Sequence, residues 1–109
     1  MNKLSKSETA ALFNEMARKY GVLDHTKSGG GHDRTYLGKT GNNKALFLAC
    51  SRVNWMCVYL DATEKVLLVN NGFGCEPISS GDEPYEYRCH VNVSDFDLFL
   101  SIVKKYMGR

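Results

Sequence analysis

Two stretches of this sequence, residues 45–50 and 55–60, are apolar at nearly every position. Successive side chains of a strand point to opposite faces, so a strand without polar positions needs cover on both of its faces. A place in the middle of a sheet gives a strand the best access to such cover. We therefore expect both stretches to be central strands of one sheet.

Further strands are predicted on both sides of this pair. Residues 85–92 alternate between apolar and polar side chains, which is typical of a strand with one face in water. The segment Thr40-Gly41-Asn42-Asn43 supplies residues that tolerate the positive φ of a hairpin turn. The sequence thus predicts five strands in meander-like order, at residues 35–39, 44–50, 53–60, 65–69 and 85–92.

An amphipathic helix is predicted near each end of the chain. Ser5 stands three residues before Glu8, a spacing at which each side chain can bond the free amide of the other residue. Gly21 suits the turn that ends this helix, which is predicted over residues 5–20. Ser94 can begin a second helix, which has acidic residues at its start, lysines at its end and one apolar stripe. The stripe consists of Phe96, Phe99, Leu100, Val103 and Met107.

The length of the chain and the order of its elements indicate the fold class. A chain of 109 residues, 43% of them hydrophobic, is long enough for one core and short for two typical domains. We expect a single α+β domain over residues 1–109, with a five-stranded antiparallel sheet between an N-terminal and a C-terminal helix. This order resembles that of frataxin over the whole chain. Frataxin-like proteins carry an acidic first helix for iron, whereas helix 5–20 has two acidic residues against three basic ones, so no iron site is implied here.

Apolar stretches and cysteine positions indicate the environment of the protein. The apolar stretches are far shorter than a membrane span, and the first residues lack the apolar core of a secretion signal. We therefore expect a cytoplasmic protein that does not enter a membrane. The four cysteines form no C-x-x-C pair, and without a secretion signal we expect four reduced thiols rather than two disulfides.

Two polar loops are the predicted binding surface. Residues 24–34 contain three adjacent glycines, which disfavour regular structure, and residues 70–84 are rich in Gly and Pro. Loops that rigid elements position commonly hold binding residues, so we expect these two loops to contact a protein partner. The predicted partner-binding residues are Lys27, His32, Asp33, Arg34, Phe73 and Glu76.

The residues that could carry catalysis or hold a metal do not form an informative pattern. Cys89 and His90 are neighbours on one strand and point to opposite faces, so they cannot form a nucleophile and base pair. The spacing of His25 and His32 does not match a metal motif, and the three glycines lack the strand, helix and lysine of a phosphate-binding loop. We expect no catalytic residue, no metal and no cofactor.

Two functions from different classes remain. We expect a non-enzymatic protein-interaction module, such as a small inhibitor or immunity-type protein that binds a partner protein. The alternative is a nucleic-acid or phosphate-ligand binding domain that uses the basic N-terminal half, because residues 1–52 hold nine Lys and Arg against four Asp and Glu. In that alternative, aromatic side chains of the strands stack on bases, and Lys39, Lys44 and Arg52 bind phosphate.

Overall fold

The computed structural model describes residues 3–29, 31–38, 44–79 and 85–108. This part of the chain holds three α-helices, six strands and one short 3-10 helix. The helices are α1 (Lys6–Tyr20), α2 (Ala62–Asn70) and α3 (Phe96–Tyr106), with the 3-10 helix at Val93–Asp95. The strands are β1 (Leu23–Gly29), β2 (His32–Leu37), β3 (Phe47–Arg52), β4 (Trp55–Leu60), β5 (Cys75–Pro77) and β6 (Tyr87–Asn92).

The strands form one antiparallel sheet in the order β1-β2-β3-β4-β6-β5. The predicted α+β class with an antiparallel, meander-like sheet is confirmed, and the sheet has six strands rather than about five. The two apolar stretches form β3 and β4, which lie side by side in the middle of the sheet as expected. The turn predicted at residues 40–43 lies outside the described residues.

Helix α1 begins at the capping box that the sequence predicts. The Glu8 backbone N–H donates to Ser5 Oγ at 3.1 Å, and the Ser5 backbone N–H donates to Glu8 Oε1 at 2.9 Å. The helix ends at Gly21, whose φ of 73° is in the left-handed region that favours glycine. Its buried side includes Phe13 and Ala17, which pack against the sheet and α3.

The prediction of a strand at residues 65–69 is wrong, because this segment belongs to helix α2. Glu64 and Leu68 are four residues apart and lie on one side of the helix, where both are buried. The Tyr106 hydroxyl donates to Glu64 Oε2 at 2.7 Å, which ties α2 to α3. Tertiary contacts of this kind outweigh the strand propensity of the valines and leucines. The extra helix also departs from the element order on which the similarity to frataxin depends.

The prediction of a loop at residues 24–34 is wrong as well. These residues form most of the hairpin β1–β2, in which Lys27 is opposite Arg34 and Gly29 is opposite His32. Gly29 and Gly31 have φ of 139° and 81°, so the glycines serve the tight turn of this hairpin. Within the predicted long loop 70–84, residues 75–77 form the short edge strand β5.

All three helices pack on one face of the sheet. The main core combines side chains of the helices with alternate residues of the strands, and Phe99 packs edge-on against Phe47 and Phe73 at ring distances of 5.8 and 6.0 Å. The strand residues of this core are Leu37, Phe47, Ala49, Met56, Val58, Leu60, Cys89 and Val91. No helix in the described residues has the length and hydropathy to cross a membrane.

Candidate functional site

The face of the sheet opposite the helices is the candidate site. Because Phe47 and Ala49 point to the helices, Leu48, Cys50 and Arg52 point to the other face. The strand register extends this face across the sheet, since directly opposed residues point to the same side. A second, smaller apolar cluster lies on it and contains no residue of a described helix. We call this surface the helix-free face.

Basic side chains outnumber acidic ones on the helix-free face. Among the described residues, register and alternation assign Lys27, Arg34, Arg52 and Arg88 to it, together with the carboxylate of Glu76. A second carboxylate, Asp24, lies beside this face, where its Oδ2 is 2.6 Å from His25 Nδ1. The Arg88 Nε donates to Glu76 Oε1 at 2.6 Å, and both side chains are about half exposed or more. The face is therefore positively charged, whereas the whole chain has a net charge of only +2.

Two of these positive charges are in a position that does not favour the stability of the sheet. Lys27 and Arg34 are directly opposite each other on β1 and β2. Like charges in this position destabilise a strand pair. The pair therefore adds positive charge to the helix-free face without adding to the stability of the hairpin.

Aromatic rings stand among these charges on the helix-free face. The Trp55 and His90 rings stack at 3.8 Å with an angle of 10° between their planes, and Arg52 lies 5.9 Å from the Trp55 ring centre. Towards β1, His25 and Tyr36 form a second stack at 4.2 Å and 6°. The first stack joins β4 to β6 and the second joins β1 to β2, so rings lie across most of the width of the sheet.

His32 connects the hairpin β1–β2 to this surface. Arg52 Nη1 lies 3.2 Å from His32 Nδ1 and also donates to the backbone oxygen of Ser51 at 3.0 Å. Because the guanidinium can only donate, His32 Nδ1 is the acceptor in this contact. Partial burial and the positive charges of Arg52, Lys6 and Arg34 lower the pKa of His32, so its ring is neutral at neutral pH.

The cysteines stand in two directly opposed pairs, Cys50 with Cys57 and Cys75 with Cys89. All four are free thiols in the structure. Burial raises the pKa of the Cys50, Cys75 and Cys89 thiols, so these thiols are protonated at neutral pH and are weak nucleophiles. These three thiols are therefore poor candidates for nucleophilic chemistry.

A cavity of about 530 Å³ opens at the β4, β6 and β5 side of the sheet. Its lining includes the stacked rings of Trp55 and His90 and the charged groups of Arg52, Arg88 and Glu76. The remaining lining residues are Cys57, Gly74, Cys75 and Cys89. This volume lies within the range of about 300–1,000 Å³ that is common for small-molecule pockets.

The predicted partner-binding residues are divided among four places. Lys27, His32 and Arg34 lie on the helix-free face at the β1–β2 hairpin, and Glu76 lies on the same face at the opposite edge of the sheet. The two predicted loops therefore do not form one site. The other two residues are elsewhere: Asp33 points to the helix side of β2, and Phe73 is a core residue with 8% of its surface exposed.

The residues predicted for phosphate binding also differ in position. Arg52 lies on the helix-free face, in contact with His32 and Trp55. Lys44 Nζ is 2.6 Å from Asp61 Oδ2 and 4.5 Å from the centre of the Tyr85 ring, so its charge already has partners within the protein. Lys39 lies outside the described residues.

Arg88 and His90 are site residues that are not among those predicted from the sequence. Their signal was present, since both occupy the wet side of the alternating strand that became β6. The metal-ligating side chains offer no comparable cluster: the described residues contain no group of three His, Cys, Asp or Glu that could hold a metal ion.

Comparisons with protein-family models, with curated proteins and with solved structures found no match for this chain. No family can therefore contribute residue roles. The function is therefore inferred from the helix-free face, with its four basic side chains and two ring stacks.

Proposed function

We propose that this protein binds single-stranded nucleic acid through its helix-free face. The observation that carries the proposal is the combination, on one face, of Lys27, Arg34, Arg52 and Arg88 with stacked aromatic rings on strands β1, β2, β4 and β6. Proteins that bind single strands combine basic groups for the phosphates with rings on which successive bases stack. A sheet that presents rings to unpaired bases is a known solution for RNA as well.

The distribution of exposed apolar side chains favours nucleic acid over a protein partner at the helix-free face. The centre of a protein interface is usually apolar and poor in charge. The large apolar residues with the greatest exposure are Val53 in the β3–β4 turn and Val66, Val69, Leu98 and Tyr106 on α2 and α3. None of them belongs to the helix-free face, where rings alternate with guanidinium groups.

A protein-interaction module is the second candidate. Arg, Trp and Tyr are the residue types that most often dominate binding at protein interfaces, and all three occur on the helix-free face. The charge of this face would then favour an acidic partner. This function differs from the first in one measurable respect, because it requires no affinity for nucleic acid.

Fluorescence anisotropy with a labelled oligothymidine of about 12 nucleotides tests the first proposal. We expect saturable binding by the intact chain and weaker binding of a duplex, whose paired bases cannot stack on protein rings. Trp55→Leu and Tyr36→Leu each remove one ring of a stack and should weaken binding about 5- to 150-fold, the range expected for one stacked base. Tyr20→Leu is the matched control, since Tyr20 lies on α1 and bonds Asp97 on the helix side.

The controls decide how the result is interpreted. Circular dichroism and thermal melting of each variant establish that the sheet is intact. An affinity that falls equally in Tyr20→Leu and in the two ring variants of the helix-free face would contradict the proposal. Absence of measurable oligonucleotide binding by the folded, unsubstituted chain would also contradict it and leave the protein-interaction module as the remaining candidate.

A further inference from the structure

The cavity beside Trp55 has a lining that distinguishes it from the rest of the helix-free face. It brings two guanidinium groups, Arg52 and Arg88, to the same space as the flat Trp55–His90 stack. The other basic residues of the face, Lys27 and Arg34, do not line it. The cavity is therefore a separate place on the face, with its own ring wall and its own positive charge.

We propose that this cavity binds one nucleotide, with the base against the Trp55–His90 stack and the phosphate at Arg52 and Arg88. The inference rests on the proposed function, because it takes the helix-free face as a nucleic-acid surface and assigns one nucleotide of the strand to this cavity. A free nucleotide and the terminal nucleotide of a strand offer the same chemistry, and the experiment below separates these two sources.

Each part of the lining matches a part of a nucleotide. A planar base stacks favourably on flat rings, and guanidinium groups form paired hydrogen bonds with phosphate oxygens. Glu76 Oε1 accepts a hydrogen bond from Arg88 Nε at 2.6 Å, which leaves the remaining N–H groups of that guanidinium for a phosphate. The second carboxylate oxygen can accept from an amino group of a base or from a ribose hydroxyl.

Charge in the cavity favours an anion and limits where it can lie. Two guanidinium groups against one carboxylate give the lining a net positive charge. Glu76 repels a phosphate placed at its own end, so the phosphate should lie nearer to Arg52. The contact of Arg52 with His32 then joins the cavity to the basic hairpin β1–β2, along which a strand could continue.

Gly74 provides a way to narrow the cavity without disturbing the core. It lines the cavity, and a Cβ added at this position meets no heavy atom within 4 Å. Gly74 is also absent from the glycines with positive φ, so a side chain there is not strained by the backbone. Gly74→Leu should therefore fold and take up space that a base would occupy.

Trp55 fluorescence measures occupancy of the cavity directly, because Trp55 is the one tryptophan of the chain. The experiment titrates adenosine 5′-monophosphate, adenosine and inorganic phosphate separately into the intact protein. We expect saturable quenching by the nucleotide, and weaker binding of adenosine and of phosphate, each of which supplies half of the contacts. Arg52→Gln and Gly74→Leu should each weaken nucleotide binding by about tenfold or more.

Arg34→Gln is the matched variant for position on the face. It removes a guanidinium from the helix-free face but not from the cavity, so it should weaken oligothymidine binding and leave nucleotide binding within about twofold. Arg52→Gln should weaken both. This contrast separates a cavity that recognises one nucleotide from a face that attracts any anion.

Each outcome decides between the two proposals. Oligothymidine binding without saturable quenching by the nucleotide overturns the cavity inference and leaves the proposed function standing. Nucleotide binding without oligothymidine binding supports the cavity as a site for free nucleotides and overturns the proposed function. Quenching that phosphate alone reproduces in full overturns the inference, because the base then contributes nothing.

Discussion

Neutralising the three basic residues Lys27, Arg34 and Arg52 together should remove most of the salt dependence of oligonucleotide binding. Each phosphate that a basic group neutralises releases counterion, and for single strands the slope of log affinity against log salt is about −0.7 per phosphate. The helix-free face offers four basic groups, of which Arg88 is already bonded to Glu76. Three to four phosphate contacts predict a slope of about −2 to −3.

This slope has a measurable consequence. Between about 50 and about 200 mM salt, the affinity of the intact protein should fall about 20- to 50-fold. Among the described strand residues, the triple variant with glutamine at Lys27, Arg34 and Arg52 retains only Arg88 as a basic group on this face. Its slope should be no steeper than about −0.7, which corresponds to a loss of about threefold over the same range.

A second triple variant provides the control for net charge. Glutamine at Lys19, Lys104 and Lys105 removes the same number of positive charges from exposed positions on α1 and α3. Either triple changes the net charge from +2 to −1, since each substitution removes one positive charge. The control should keep the full slope of about −2 to −3. Equal slopes in the two triple variants would refute the assignment of the contacts to the helix-free face.

Two further predictions concern residues whose position the structure defines. Phe73→Ala should lower the free energy of unfolding by about 3–5 kcal/mol in urea denaturation, because Phe73 is 8% exposed and packs edge-on against Phe99; a loss of binding without any loss of stability would contradict this core role. Oligothymidine affinity should rise as the pH falls below about 6.5, because the pKa of His32 is lowered in the free protein and a bound polyanion favours its protonated form. At constant salt the rise should be smaller in His32→Gln, and an identical pH profile in that variant would show that His32 does not contact the strand.

The elements that the sequence predicts correctly have local signals that tertiary contacts reinforce. The capping box at Ser5 and Glu8 and the apolar stripe of α3 are patterns of neighbouring residues, and both helices form where those patterns lie. Helix α2 has no comparable signal, since its hydrophobic residues suit a strand equally well and its anchor is the distant Tyr106 hydroxyl on Glu64. Strand β1 has no such signal in the sequence, because it is an edge strand that is exposed over residues 24–29 and has no apolar alternation.

The candidate site needs strand register, which a single sequence does not provide. Arg52, Trp55 and Tyr36 were recognisable as basic or aromatic, but their common face depends on the pairing of β2, β3 and β4. A shift of one residue in that pairing would move a whole strand's side chains to the other face. Phe73 illustrates the opposite error. Its glycine neighbours suggest an exposed loop, whereas its backbone N–H donates to the Leu68 oxygen at 3.0 Å and the chain carries its ring into the core.

Strands β3 and β4 are apolar at nearly every position, although one of their two faces carries no described helix. Cys50 and Cys57 are small, directly opposed and 7% and 5% exposed, although no described helix covers them. Their cover comes from neighbours on the same face, since Cys50 is opposite Arg34 on β2 and packs with Tyr59, and Cys57 lies between Trp55 and Tyr59 on β4. Burial, together with the interaction with Cys57, raises the pKa of Tyr59 to about 12. The tyrosine beside these thiols is therefore uncharged at neutral pH. Small thiols beneath larger rings and guanidinium groups thus give a strand that is apolar in sequence and a surface that is polar and basic, which is the combination that stacking on unpaired bases requires.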